Sequence, residues 1–312
     1  MTLTIVIAVL LLLWLGLGCY VFFNACGPWK ARDFLDEEAV KKTSYASCYP
    51  HIRESHDWLR EKGAWDVWTQ SEDGLKLHAQ WLPAKRPRGT ILLIHGYHSS
   101  PFSDFGKVVE MYHDLGMNLL LPDQRCHGQS QGRFVTFGVK ESGDMLCWLR
   151  FHNEALSREK VILSGLSMGS ATVMYMAGEK LPDNVVGIIA DCGFTSPGEI
   201  IGKVFRNVTH LPPEPWIWSA ELFARGLGGF SLWEKDACKT LSKNTLPILI
   251  VHGTADDFVP CDMGKRAFEA CAGDKTLLLA EGAGHAMSFL AEQERYTALI
   301  HQLLDKTLGE MK

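Results

Sequence analysis

A serine, an aspartate and a histidine, in that chain order, make nucleophilic acyl transfer the first chemistry to consider. The serine is Ser167, inside Gly165-Leu166-Ser167-Met168-Gly169. This G-x-S-x-G follows the apolar run Val161-Ile162-Leu163 and precedes a helix-compatible segment. In such a strand–turn–helix the serine occupies a strained turn and its hydroxyl stands free above the sheet. Bulky side chains two residues to either side would clash, hence Gly165 and Gly169. The helix start behind the serine offers the Met168 N–H to a developing oxyanion.

A serine hydroxyl alone is a poor nucleophile and needs a base held by an acid. His252-Gly253-Thr254-Ala255-Asp256 follows the apolar run Ile248 to Val251, and Gly282-Ala283-Gly284-His285 follows Thr276 to Ala280. Both segments lie past a strand's carboxyl end, where open α/β sheets carry their functional groups. His285 would take the Ser167 proton, and Asp256 would fix its tautomer and stabilise the imidazolium. Asp257 is the alternative acid; Asp256 is preferred on its position relative to His252-Gly253. Twelve histidines are present, and the place of His285 past the last strand singles it out. His95, His127 and His252 sit in turns beside strand ends and read as turn-stabilising. A second oxyanion donor is expected from His95-Gly96-Tyr97-His98-Ser99-Ser100-Pro101. Gly96 allows the sharp turn there, and the Tyr97 N–H is the natural donor. Asp123 and Arg125, after another strand, read as a buried structural network rather than as chemistry.

These residues need a scaffold that places strand ends side by side. Trp65 to Thr69 and Leu75 to Leu82 flank the turn signal Asp73-Gly74. Short apolar runs follow at Thr90 to Ile94, Asn118 to Pro122, Val161 to Ser164, Val185 to Ala190, Pro247 to Val251 and Lys275 to Ala280. Such runs fit a parallel sheet buried on both faces. Helical segments lie between most of them, at Ser103 to Leu115, Val139 to Leu156 and Met168 to Glu179. An N-terminal hairpin followed by strand–helix units predicts an α/β fold: a mostly parallel twisted sheet flanked by helices. Over fifty residues separate Asp191 from Pro247. Residues 195–243 are therefore expected to form a small helical cap. Trp216, Trp218, Leu222, Phe223 and Leu227 would either line an acyl pocket or pack the cap onto the body.

The chain begins differently. Leu3 to Phe23 holds no charged residue and is long enough to span a hydrocarbon core of roughly 30 Å. Tyr20 and Trp29 lie near its end, as interfacial aromatics do. No Lys or Arg precedes the run and no A-x-A site follows, which favours an anchor over a cleaved signal peptide. Residues 1–29 are thus expected to form a transmembrane helix. Residues 30–63 would be a polar spacer, with helices at Asp33 to Lys42 and Tyr49 to Lys62. Residues 64–312 would be the catalytic domain. Lys30, Arg32, Lys41 and Lys42 follow the helix, which puts that domain on the cytoplasmic face. Nine scattered cysteines, without disulfide-framework or zinc spacing, point the same way.

Composition narrows the classes further. At 46% hydrophobic and 21% charged, the chain is globular. A net charge of -5 without a basic stripe excludes a nucleic-acid partner. No metal or organic cofactor is implied, and the sequence does not give the oligomeric state.

The ordered set HGYHSS, DQRCHGQSQG, GLSMG, HGTADDFVP and GAGHAMS resembles the serine aminopeptidase-like α/β-hydrolases, a group that includes monoacylglycerol lipase-like and Bem46-like members. The resemblance covers about residues 64 to 309. It implies Ser167 as nucleophile, Asp256 as acid, His285 as base, and Tyr97 and Met168 as backbone oxyanion donors. The loop at Tyr97-His98 is bulkier than in lipase-like relatives. The expected function is hydrolysis of a carboxylic ester of small or medium acyl chain. The alternative substrate is a peptide or amide with a free α-amine, for which Glu199, Glu214 and Glu221 are the acids available in the cap. A catalytically silent, membrane-tethered binding module is the reading from another class.

Overall fold

The computed structural model describes residues 2–27, 35–42 and 49–310. Trp29, Lys30 and Arg32, and the start of the helix expected from Asp33, lie outside the described residues.

Helix α1 (Thr2–Cys26) is followed by α2 (Glu37–Val40) and α3 (Tyr49–Glu61). The hairpin is β1 (Trp65–Gln70) and β2 (Lys76–Leu82). Then come β3 (Gly89–Ile94), α4 (Pro101–Phe105), α5 (Lys107–Asp114), β4 (Met117–Pro122), α6 (Val139–Phe151), β5 (Val161–Leu166), α7 (Met168–Met176) and β6 (Val185–Asp191). The cap carries α8 (Pro197–Thr209), α9 (Glu214–Phe223) and α10 (Ala237–Leu241). The chain closes with β7 (Ile248–Gly253), α11 (Cys261–Ala270), β8 (Lys275–Ala280), α12 (Ser288–Ala291) and α13 (Gln293–Leu308).

The eight strands form one sheet in the order β1-β2-β4-β3-β5-β6-β7-β8. Strand β2 runs antiparallel to both neighbours, and β4 through β8 are parallel. The central strands bury both faces because they are apolar at most positions, and their few polar residues, such as Thr90, Asn118 and Ser164, are buried with them. Ile91 and Leu93 join Leu119, Leu249 and Val251 in the layer under α5 and α13. Leu92 and Ile94 join Leu120, Leu163 and Ile250 in the layer under α6 and α7. Each such side chain contributes about 1.5–3 kcal/mol on burial.

Register decides which loops become neighbours. Ile94 pairs beside Gly165, so the loop after β3 starts next to the turn after β5. Gly253 pairs beside Ala280, so the loops after β7 and β8 leave the sheet together. Strand order reverses direction at β3, which is where open α/β sheets form their crevice.

Four expectations from the sequence need correction. The helix expected over Ser103 to Leu115 is two helices, because Gly106 adopts φ +41° and breaks the run. The helix expected to Leu156 is α-helical only to Phe151; its last turn, His152–Leu156, widens to a π-turn. The helix after Ser167 ends at Met176 rather than Glu179. In the cap, Trp218, Leu222 and Leu227 face outward, at 68%, 51% and 50% exposure, so they do not pack the cap onto the body; Trp218 borders a surface cavity with Trp233 and Arg266, away from Ser167. Trp216 and Phe223 do pack inward.

The second half of α1 lies against the body. Val21, Phe22 and Cys26 are buried within the main core, and Phe22 packs on Phe134 with ring centroids 5.1 Å apart. Helix α3 likewise buries Ile52 and Leu59.

Candidate active site

The turn after β5 holds Ser167 at φ 55°, ψ -113°, a conformation that L-residues rarely adopt. Its geometry explains both flanking glycines. A Cβ on Gly165 would strike the Gly169 carbonyl oxygen, and one on Gly169 would strike that of Ile94. The turn is pinned by the Ser167 N–H, which donates to the Asp191 carbonyl at the end of β6 over 2.9 Å. Ser167 is 6% exposed. Helix α7 starts at Met168, so the first N–H groups and the positive end of its dipole lie directly behind the hydroxyl.

The loops after β7 and β8 bring two further residues to this point. His285 Nε2 lies 2.9 Å from Ser167 Oγ, and His285 Nδ1 lies 2.7 Å from Asp256 Oδ2. Asp256 is held from behind by the N–H groups of Phe258 (3.0 Å) and Val259 (2.8 Å) and by His252, 3.4 Å away. Burial would push the Asp256 carboxyl up; hydrogen bonds from His252 and His285 outweigh it and hold the carboxyl at about 2. Asp256 is thus an anion beside His285 at any pH near neutral. Asp257 faces solvent and does not share this geometry. The Phe258 ring packs against His285 at 5.1 Å between centroids, which limits the imidazole's swing.

The loop after β3 closes the other side. Gly96 comes so near the turn that its Cβ position lies 3.2 Å from Ser167 Cβ. Asp104, at the end of α4, holds this loop through the Gly96 N–H and the Ser99 hydroxyl. Burial pushes the Asp104 carboxyl up to about 6; those two hydrogen bonds and the nearby His285 limit the rise. Asp104 went unrecognised in the sequence. Its only signal there is the Ser-Ser-Pro helix start four residues before it, which fixes a turn but not which acid it buries.

His95, His127 and His252 hold turns. His95 and His127 each accept a backbone N–H on Nε2, from Gln124 and His98 respectively, and each places Nδ1 on a backbone carbonyl. Burial lowers the pKa of both, that of His95 to about 3, so both are neutral. His252 Nε2 lies 2.9 Å from the Val259 carbonyl. Tyr97 stacks on His98 and Phe137, and its hydroxyl donates to the Ala25 carbonyl at the end of α1 over 2.7 Å.

Arg125 and Asp123 belong to separate networks. Arg125 pairs with Asp144 and Asp73, and Asp123 with His78.

Among the described residues, Cys192, Asp256 and His285 place one ligand atom each within 4.8 Å of one another. The trio is a poor metal site. Asp256 and His285 already engage each other, and burial raises the Cys192 thiol well above its ordinary value, against the thiolate a metal needs.

A parallel sheet, a strained serine at the β5–α7 turn and two loops converging on it define the α/β-hydrolase fold, and the chain belongs to that superfamily. The family described as serine aminopeptidase, S33, matches residues 85–212. The uncharacterized protein YqkD of Bacillus subtilis is 30% identical over 217 residues, covering 69% of this chain and 71% of YqkD. An uncharacterized membrane protein of Saccharomyces cerevisiae, YNL320W, is 26% identical over 205 residues, 64% of this chain and 66% of that one. Among solved structures, the Pyrococcus furiosus esterase Pf2001 superposes with a TM-score of 0.65 at 20% identity, covering 80% of this chain and 94% of its own. The ferulic-acid-bound Est1E of Butyrivibrio proteoclasticus gives 0.60 at 19%, covering 78% and 100%. At these identities the solved structures show the fold alone.

Proposed function

We propose that this protein is a serine hydrolase that cleaves carboxylic esters through an acyl-enzyme on Ser167. The observation that carries the proposal is the continuous chain from Ser167 Oγ to His285 (2.9 Å) to Asp256 (2.7 Å). In this reading His285 Nε2 takes the hydroxyl proton as Oγ attacks the acyl carbonyl. The anionic Asp256 holds Nδ1–H and stabilises the imidazolium. The N–H groups of Met168 and Tyr97 donate to the oxyanion, each contributing about 2.7–4 kcal/mol to the transition state. His285 then protonates the leaving alcohol, and water repeats the sequence to release the acid. Relatives with solved structures include proteins named esterases, which supports the ester class.

The cap acids favour an ester over a free α-amine. Glu199 is paired with Arg266, Glu214 with Arg206, and Glu221 with Arg225. We further propose that α1 anchors the protein in a membrane, with the catalytic domain (64–312, cap 195–243) on the cytoplasmic side. The support is the exposed apolar half of α1, Leu3–Leu13, within the 24-residue apolar stretch Leu3–Cys26, and the membrane designation of the yeast relative.

The test is turnover of p-nitrophenyl acetate, butyrate and octanoate against alanine and proline anilides by the full chain. Ester turnover with fluorophosphonate labelling at Ser167 is the expected result. Turnover of anilides alone overturns the ester class. A folded protein that turns over neither and resists the label is a binding module instead.

A further inference from the structure

Helix α1 has two unlike halves. Leu3–Leu13 is exposed at every position. From Trp14 onward, one face lies along α9. Three contacts give the register: Trp14 Nε1 donates to the Pro215 carbonyl, Gly18 abuts Ser219, and Phe22 stacks on Phe223 with centroids 6.5 Å apart. The steps are four residues on each helix, so the two run parallel, side by side, for two turns.

This fixes how far α1 reaches alone. The eleven residues Leu3–Leu13 extend about 16 Å at 1.5 Å per residue, about half of a hydrocarbon core. If α1 enters a bilayer, its second half brings α9 to the surface of the near leaflet. The outward face of α9 suits that position. Trp218 and Leu222, one helical turn apart, are exposed, and Leu211 before the helix and Leu227 after it are exposed apolar side chains as well. Tyr20 of α1, 63% exposed, stands within a turn of the same level. Arg206 and Arg225 flank the face with exposed side chains. Of the two acids on α9, Glu221 is turned inward onto Arg225, Ser231 and the Leu232 N–H, and Glu214, exposed one turn before Trp218, is paired with Arg206.

We propose that the Leu211–Trp218–Leu222–Leu227 face is seated in the headgroup region of a lipid leaflet, as a second membrane contact beside α1. The proposal rests on the reading of α1 as an anchor. Tyr97 ties the loop beside Ser167 to α1 at Ala25, about 18 Å along the helix from Leu13, so amphiphilic esters reach the catalytic centre from the headgroup side of the leaflet.

The test uses the full chain in phosphatidylcholine vesicles containing brominated acyl chains, which quench nearby tryptophan emission. W14F reports the anchor, W218F the α9 face, and W65F a tryptophan exposed on edge strand β1. The expected result is that W14F and W218F each remove part of the quenching and W65F removes none. Loss with W14F but not W218F overturns the proposal while the anchor stands. A chain that does not float with vesicles overturns both. None of these readings requires catalysis. In a second arm, L222E should raise KM about tenfold for p-nitrophenyl octanoate presented in vesicles and leave p-nitrophenyl acetate in solution unchanged. Equal effects on both esters overturn the proposal, as does a dimer that shields Trp218 in the absence of lipid.

Discussion

The hydroxyl of Tyr97 donates to the carbonyl of Ala25 over 2.7 Å and so joins the loop beside Ser167 to the last turn of the N-terminal helix. Y97F keeps the backbone N–H proposed as oxyanion donor and removes the hydroxyl with its bond to Ala25 and its longer one, 3.5 Å, to Asn24. One such hydrogen bond contributes about 1 kcal/mol. Steady-state kinetics on p-nitrophenyl acetate should therefore show kcat reduced by about threefold to tenfold, with Ser167 still labelled by fluorophosphonate. An unchanged kcat would mean that the loop is held by Asp104 alone.

Asp256 and Asp257 are neighbours in sequence with unlike settings. D256N leaves His285 without its anion and should lower kcat by about 10³-fold or more. D257N should leave kcat within about twofold, because an exposed acid away from the imidazole adds little. Equal losses in the two variants would reverse the assignment of the acid.

Asp104 makes a pH-dependent contribution to stability. Its carboxyl titrates at about 6 in the folded chain against an ordinary 3.8, with burial as the main cause. A raised acid stabilises the fold below its unfolded pKa, and that stability is lost as pH rises through the folded value. Between pH 4 and pH 7 this loss is about 2 kcal/mol. D104N cannot titrate. Urea melts of the two proteins should converge, or cross in favour of the variant, over that range. A constant difference would show that Asp104 does not titrate there.

Arg125 should matter to folding rather than to chemistry. Its guanidinium is buried against Asp144, at 2.6 and 2.7 Å, with Asp73 alongside. R125A strands a buried carboxylate and should cost about 3–5 kcal/mol. The double variant R125A/D144A should recover part of that loss. Thermal melts report both, and additive losses would deny the coupling.

The sheet was legible in the sequence because its parallel strands are short, largely apolar runs and its hairpin is marked by Asp73-Gly74, and the expected runs fall within one or two residues of β1 to β8. The break at Gly106 was not legible, since the chain on either side continues a helical pattern. Nor was the orientation of the cap. Helix α9 is apolar on most sides, with Trp216, Ile217 and Phe223 turned inward and Trp218 and Leu222 outward, and such a pattern names no buried face.

The sequence by itself determined the α/β class, the serine turn with its two glycines, and the order Ser167, Asp256, His285. These follow from local rules: apolar runs make buried strands, and a strained turn admits only glycine at its flanks. Tertiary structure alone decided which groups meet. Sheet register, Ile94 beside Gly165 and Gly253 beside Ala280, brings loops from distant parts of the chain to one point. The fold also set Asp256, already preferred over Asp257 in the sequence, within 2.7 Å of His285, buried Asp104 beneath the loop at Gly96, and laid the end of α1 along α9. A uniformly apolar helix has no preferred face in sequence, so only the groove it meets can choose one.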